Sequence, residues 1–152
     1  MYMFHKAINL NFKQGTKLEV TFQDGQVKLY DMSVLFDKYP QLEALKNRDF
    51  FLSGKLKSYG IIWNDKLDIE SETIYQEGET VRIEDVPAKV MIAYTVSTAR
   101  NNAGLSQAQL SQKTGIDQSD ISKIEHGTAN PSISTLDRIA KALNTKISFK
   151  LL

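Results

Sequence analysis

The stretch LSQAQLSQKTGIDQSDISKIEHG, Leu105 to Gly127, constrains this chain more than any other, because it holds two helix starts in close succession. At the first, Ser106 stands as the cap and Gln109 three residues on completes a capping box, while Leu105 and Leu110 flank it as a hydrophobic staple. At the second, Asp117 takes the cap and Asp120 the third helical position, with Ile116 and Ile121 as the staple. Gly115 lies between them and supplies the left-handed residue that a sharp helix–turn–helix needs. Taken alone, the pattern also fits a plain αα-hairpin buried in a bundle.

The polarity of the second helix favours an exposed reading head. Ile121 and Ile124 are expected to point inward, while Gln118, Ser119, Asp120, Ser122 and Lys123 share the other face near the amino-terminal end. Short hydrogen-bonding side chains in that place suit a DNA major groove. Glutamine pairs bidentately with adenine N6 and N7, lysine donates to guanine O6 and N7, and serine reaches base edges or phosphate. From Val96 to Leu143, through ARNNAGLSQAQLSQKTGIDQSDISKIEHG and NPSISTLDRIAKAL, the chain resembles the lambda-repressor-like, Cro/C1-type helix-turn-helix family. That resemblance implies a bundle of four or five helices whose third helix reads double-stranded DNA. It assigns Gln118, Ser119, Asp120 and Lys123 to base edges, and Gln107, Ser122 and Asn130 to the sugar–phosphate backbone. It also pairs Arg100, late in the first helix, with Glu125, late in the third. Asp120 departs from the expected charge, adding a carboxylate on a DNA-facing turn.

Around this motif the carboxy-terminal region reads as helical: a longer helix from about Ala88 to Asn102, then three from Ser106 to Leu143. Ile133, Leu136, Ile139, Ala140 and Leu143 form its last apolar stripe, with Ser134 as the expected cap. The terminal TKISFKLL alternates Ile147, Phe149 and Leu151 with polar residues, a strand pattern that needs a partner. Those three residues are assigned to a homodimer contact, with the amino-terminal sheet as the other candidate.

Before Pro87 the pattern is β-rich. Leu18, Val20 and Phe22, then Val27 and Leu29, alternate about an Asp24-Gly25 turn as a hairpin. Two short helical segments are expected between Met32 and Lys46, interrupted by Pro40, and strand character from Phe51 to Trp63, closed by Leu67, Ile69, Ile74 and Tyr75. From Leu18 to Tyr75, through FQDG, the following YD, DFF and IIWNDKLDIESETIY, this part resembles a small bacterial domain of unknown function, which implies a compact α+β module. The expected organisation is therefore an α+β domain over 1–78 (antiparallel sheet with short helices), a linker over 79–86, and an all-α lambda-repressor-like domain with a final strand over 87–152.

Charge agrees with that division. The net charge of +1 splits at Val86 into 11 basic and 14 acidic residues before it and 8 and 4 after it, about −3 and +4. A basic half suits an anionic partner. Zero Cys excludes disulfide scaffolds, cysteine–zinc sites and thiol nucleophiles, and fits a reducing cytoplasm, where the chain is expected. The terminus MYMFHKAINLNF makes a poor signal peptide, and no apolar run approaches the roughly 20 residues of a membrane helix. No phosphate loop, zincin helix or nucleophile elbow occurs. His5 falls in an expected mobile terminus and His126 at a helix end. Asp65, Asp68, Glu70 and Glu72 read as a solvated acidic loop rather than a cation site; Asp31 and Trp63 read as a turn former and a core residue. Neither catalysis nor a cofactor or metal is expected. The sequence points to a DNA-binding transcriptional repressor whose first module takes a protein or small ligand. The alternatives are an antitoxin-type autoregulator and a protein-interaction adaptor that has lost DNA binding.

Overall fold

The computed structural model describes residues 5–149, and the chain divides between Val86 and Pro87 into two compact units. In the first, the Asp24-Gly25 turn joins β2 (Lys17–Phe22) to β3 (Gln26–Asp31) in antiparallel register, Leu18 opposite Tyr30 and Val20 opposite Lys28. Gly25 takes φ +88°, and a Cβ there would meet the Glu84 carbonyl oxygen. β1 (Ala7–Phe12) flanks β2, and β7 (Glu79–Ile83) flanks β3, giving a four-stranded sheet of order β1-β2-β3-β7. A second antiparallel sheet contains β4 (Lys55–Lys57), β5 (Gly60–Asn64) and β6 (Leu67–Glu70) in that order. Leu18, Val20, Phe22, Met32, Phe51, Ile61, Trp63 and Ile74 make one buried core between these layers. Trp63 satisfies its buried indole by donating Nε1–H to the Phe51 carbonyl at 2.7 Å.

Several expectations for this unit require correction. The segment 79–86 was expected to be linker, yet Glu79–Ile83 is a strand paired with β3, with Gln26 opposite Ile83 and Lys28 opposite Thr80. All five of its residues are exposed on the sheet edge, so no apolar alternation marks it. The expected strand from Phe51 to Trp63 begins instead with helix α1 (Arg48–Leu52), capped where the Asn47 side chain accepts from the Phe50 N–H. Ile74 and Tyr75 lie on helix α2 (Ser71–Glu77), not on a strand. Between Met32 and Lys46 the two helical segments are 3₁₀ turns, Met32–Leu35 and Pro40–Lys46, and Asp31 caps the first. His5 is buried rather than free: its Nδ1 lies 3.0 Å from Glu72 Oε2 and its ring stacks on Tyr75 at 3.5 Å. Asp65, Asp68 and Glu70 are exposed, Glu72 turns to His5, and among the described residues no group of three or more His, Asp or Glu could hold a metal.

The second unit is helical: α3 (Ala88–Asn102), α4 (Gln107–Thr114), α5 (Gln118–Glu125) and α6 (Ile133–Ala142). α3 packs on α5, α5 on α4 and α4 on α6. Val96, Leu110, Ile116, Ile121, Ile124, Ile139 and Leu143 fill the core between them. Ile133, placed in the core stripe by periodicity, is 69% exposed. The cap of α6 is Ser132, not Ser134, because Ser132 Oγ accepts from the Thr135 N–H at 3.0 Å. Asn144 ends α6 at φ +53°, and Thr145 N–H returns to the Ala140 carbonyl at 2.9 Å. No helix among the described residues is long and apolar enough to cross a membrane.

Candidate nucleic-acid interface

The geometry of α4 and α5 begins with local hydrogen bonds. Ser106 Oγ accepts from the Gln109 N–H at 3.1 Å and Gln109 Oε1 accepts from the Ser106 N–H at 2.8 Å, so two otherwise orphaned donors of α4 are met. Gly115 ends α4 at φ +71° in the left-handed region, where a β-carbon would be strained, and its N–H returns to the Ser111 carbonyl at 2.8 Å. Three residues later α5 has begun. Asp117 holds the cap position of α5, but its carboxylate makes no capping hydrogen bond, contrary to expectation. The turn is held from the other side: Ser111 Oγ donates to the Ile116 carbonyl at 2.6 Å. Arg138 on α6, a residue that spacing alone did not single out, donates to the Thr114 carbonyl at the end of α4. Arg138 lies inside α6, 24 residues from Thr114, so no local sequence pattern points to this contact.

Side chains on α5 separate by face. Ile121, Ile124 and Glu125 are buried, while Gln118, Ser119, Asp120 and Lys123 are exposed and Ser122 is half-buried. Eight residues make a helix of about 12 Å, close to the width of the major groove, so its outer face can lie against several base pairs. Lys123 Nζ is 3.6 Å from Asp120 Oδ1, and both are solvent-exposed, which makes the contact weak and readily exchanged for another partner. Ser122 Oγ is 3.3 Å from His126 Nδ1, which lies 2.6 Å from the Ser122 carbonyl oxygen. Asn130 is exposed in the loop before α6, and with Asp117, Asp120 and Arg138 it lines a hollow of about 450 Å³ beside the turn.

Behind this face, Arg100 and Glu125 meet. Arg100 Nε and Nη2 donate to Glu125 Oε1 and Oε2 at 2.6 and 2.9 Å, a two-pronged contact between α3 and α5. Arg100 Nη1 also donates to the Leu105 carbonyl at 2.6 Å, and Gln107 Nε2 donates to Glu125 Oε2 at 3.0 Å. One carboxylate therefore joins the end of α3, the start of α4 and the end of α5. This use of the Gln107 side chain was not anticipated. Its amide nitrogen turns to Glu125, and its backbone N–H lies in the first turn of α4.

Comparisons with known proteins agree with this geometry. A helix-turn-helix family model matches residues 96–150, and the model of a protein family of unknown function, DUF2442, matches residues 7–80. An uncharacterized HTH-type transcriptional regulator of Haemophilus influenzae is 30% identical over 95 residues, covering 62% of this chain and 90% of that protein. The control protein C.SmaI of Serratia marcescens is 39% identical over 59 residues, covering 39% of this chain and 70% of that protein. An uncharacterized regulator of the same type from Sinorhizobium fredii is 39% identical over 56 residues, covering 37% of this chain and 29% of that protein. Two of these relatives are named as transcriptional regulators and the third as a control protein. The chain belongs to the HTH-type transcriptional regulators, with a Cro/C1-type helix-turn-helix domain behind an α+β domain of the DUF2442 family.

Proposed function

We propose that the protein is a sequence-specific repressor that binds an inverted-repeat operator as a homodimer. The observation that carries this reading is the exposed polar face of α5, presented by the Arg100–Glu125 contact. With α5 in the major groove, Gln118, Ser119 and Lys123 meet base edges, and Asp120 accepts from a cytosine amino group when Lys123 turns to the DNA. Gln107, through its backbone N–H, Ser122 and Asn130 hold the sugar–phosphate backbone and set the register. Ile147, Phe149 and Leu151 supply the contact between copies, so that two α5 helices address half-sites about 34 Å apart. The α+β domain takes a protein or small-ligand partner that alters operator occupancy.

Sequencing the genomic DNA retained by the purified full chain tests this reading. It predicts a short enriched inverted repeat, bound with an affinity that falls steeply as salt rises, because phosphate contacts release counterions. No enriched sequence, together with binding that ignores salt, would favour the adaptor reading, for which the Asp120 carboxylate on the exposed face is the supporting observation.

A further inference from the structure

α5 is gripped at its carboxy-terminal end, where Arg100 meets Glu125, but its amino-terminal turn, which carries Gln118, has no side-chain cap of its own. The leading N–H groups of an uncapped helix have no partner within it, so such a turn is held from outside or it frays. Here the hold comes from α4 and α6. The Ile116 N–H donates to Thr114 Oγ1 at 3.2 Å and the Ile116 carbonyl accepts from Ser111 Oγ at 2.6 Å, which pins the turn to the end of α4. That end is pinned in its turn to α6, where Arg138 Nη2 donates to the Thr114 carbonyl. The guanidinium packs over the turn itself, since Nη2 stands 3.3 Å from where a β-carbon on Gly115 would lie.

Charge favours a cation at this place twice over. The Thr114 carbonyl belongs to the carboxy-terminal end of α4, the negative end of the helix dipole. Arg138 also lines the hollow into which Asp117 and Asp120 open, and it is the one cation among the residues lining it. The Asp117 carboxylate makes no hydrogen bond or ion pair among the described residues, and Asp120 has only its exposed contact with Lys123. We infer that Arg138 is a positioning residue for sequence readout: without touching a base, it fixes the angle at which the first turn of α5, and with it Gln118, meets the DNA. The inference rests on the reading of α5 above and adds a residue on another helix to it. A two-pronged amide contact with a base edge tolerates misorientation of about 10–20° at most. Lys123, further along α5 and nearer the Arg100–Glu125 grip, donates from a flexible stem and depends less on the angle of the first turn.

Arg138 is exposed, so Arg138→Ala in the full chain removes the hold without opening the core, and retained helical circular dichroism shows that the fold is intact. Without DNA, amide hydrogen exchange at Gly115, Ile116 and Ile121 should quicken several-fold. His126, whose N–H returns to the Ser122 carbonyl at the far end of α5, should keep its native rate. With DNA, selection from a random duplex pool should lose preference at the base pair that Gln118→Ala also relaxes and keep it at the pair that Lys123→Ala relaxes. Adding Arg138→Ala to Gln118→Ala should cost no further selectivity. The slope of log affinity against log salt should stay native, and Arg138→Lys, which keeps the charge and one donor, should restore most of the preference. A slope lowered by about 1 with selectivity intact would make Arg138 a phosphate contact and overturn the positioning role. Exchange that quickens alike throughout the helical unit, or selectivity losses that add to those of Gln118→Ala, would overturn it too. A native protein that selects no sequence, while the turn amides of Arg138→Ala still quicken, would refute the base-reading role of α5 and not the hold of Arg138 on the turn.

Discussion

Removing one partner of the Arg100–Glu125 contact should cost far more than its surface position in a sequence suggests. The side chains are only 13% and 5% exposed, and the two-pronged contact holds three elements together. Arg100→Ala leaves the Glu125 carboxylate buried with the Gln107 amide as its remaining donor, and Glu125→Ala leaves the guanidinium with the Leu105 carbonyl. Breaking a buried pair from one side costs about 3–5 kcal/mol. For a domain of this size, where 1 kcal/mol moves Tm by about 4–8 °C, that corresponds to a fall of roughly 12–40 °C. The double variant Arg100→Ala/Glu125→Ala strands no charge and should lose less than the sum of the single changes, with a coupling of about 2–3 kcal/mol. The sole tryptophan, Trp63, lies in the α+β unit, so its fluorescence follows that unit while the helical signal near 222 nm is dominated by the helix-rich second unit. The helical transition should move and the Trp63 transition should not. Additive losses in the double variant would refute the coupling.

Three further outcomes follow from particular contacts. Glu19 accepts from Arg82 at 3.0 Å at both oxygens, and this hydrogen bonding, aided by Lys13 and opposed by burial, lowers its pKa from 4.5 to about 2. Its contribution to stability is present above the unfolded value and is lost as pH falls from about 4.5 to about 2; NMR titration of the Glu19 carboxyl in Arg82→Ala should show its pKa return upward. Gly115→Ala forces a β-carbon into φ +71° and 3.3 Å from Arg138 Nη2, and should cost about 1–2 kcal/mol in the helical unfolding transition. Gln107→Ala removes the amide donor to Glu125 but keeps the backbone N–H assigned to phosphate, so fluorescence-anisotropy titrations should show a small, sequence-independent loss at most, with site preference unchanged.

What the sequence made legible depended on whether the decisive contact was local. The Ser106–Gln109 box and the Gly115 turn are fixed within a few residues, and they stand out in the sequence for that reason. The Asp24-Gly25 hairpin is similar, because its flanking strands have one core-facing side and therefore alternate. β7 escaped notice because an edge strand exposed at every residue has no alternation to read. α1, at five residues, is too short to display a helical period. Ser132 and Ser134 both flank Ile133, and only the hydrogen bond to Thr135 distinguishes them. The position of Arg100 and Glu125 came from family resemblance rather than from their 25-residue separation, while the Gln107 and Arg138 contacts are tertiary and carried no local pattern. His5 was misplaced for the same reason, since Glu72 and Tyr75 are far away in sequence.

The central claim is that the exposed face of α5 reads base sequence, and selection from a random duplex pool with the full chain tests it most directly. The native protein should enrich an inverted repeat. The double variant Gln118→Ala/Lys123→Ala should lose about 1–3 kcal/mol per contact on that repeat and relax the preference at the base pairs those residues meet, while its helical signal is unchanged. If the double variant enriches the same repeat with the same selectivity, a face of the domain other than the one carrying Gln118 and Lys123 reads the DNA.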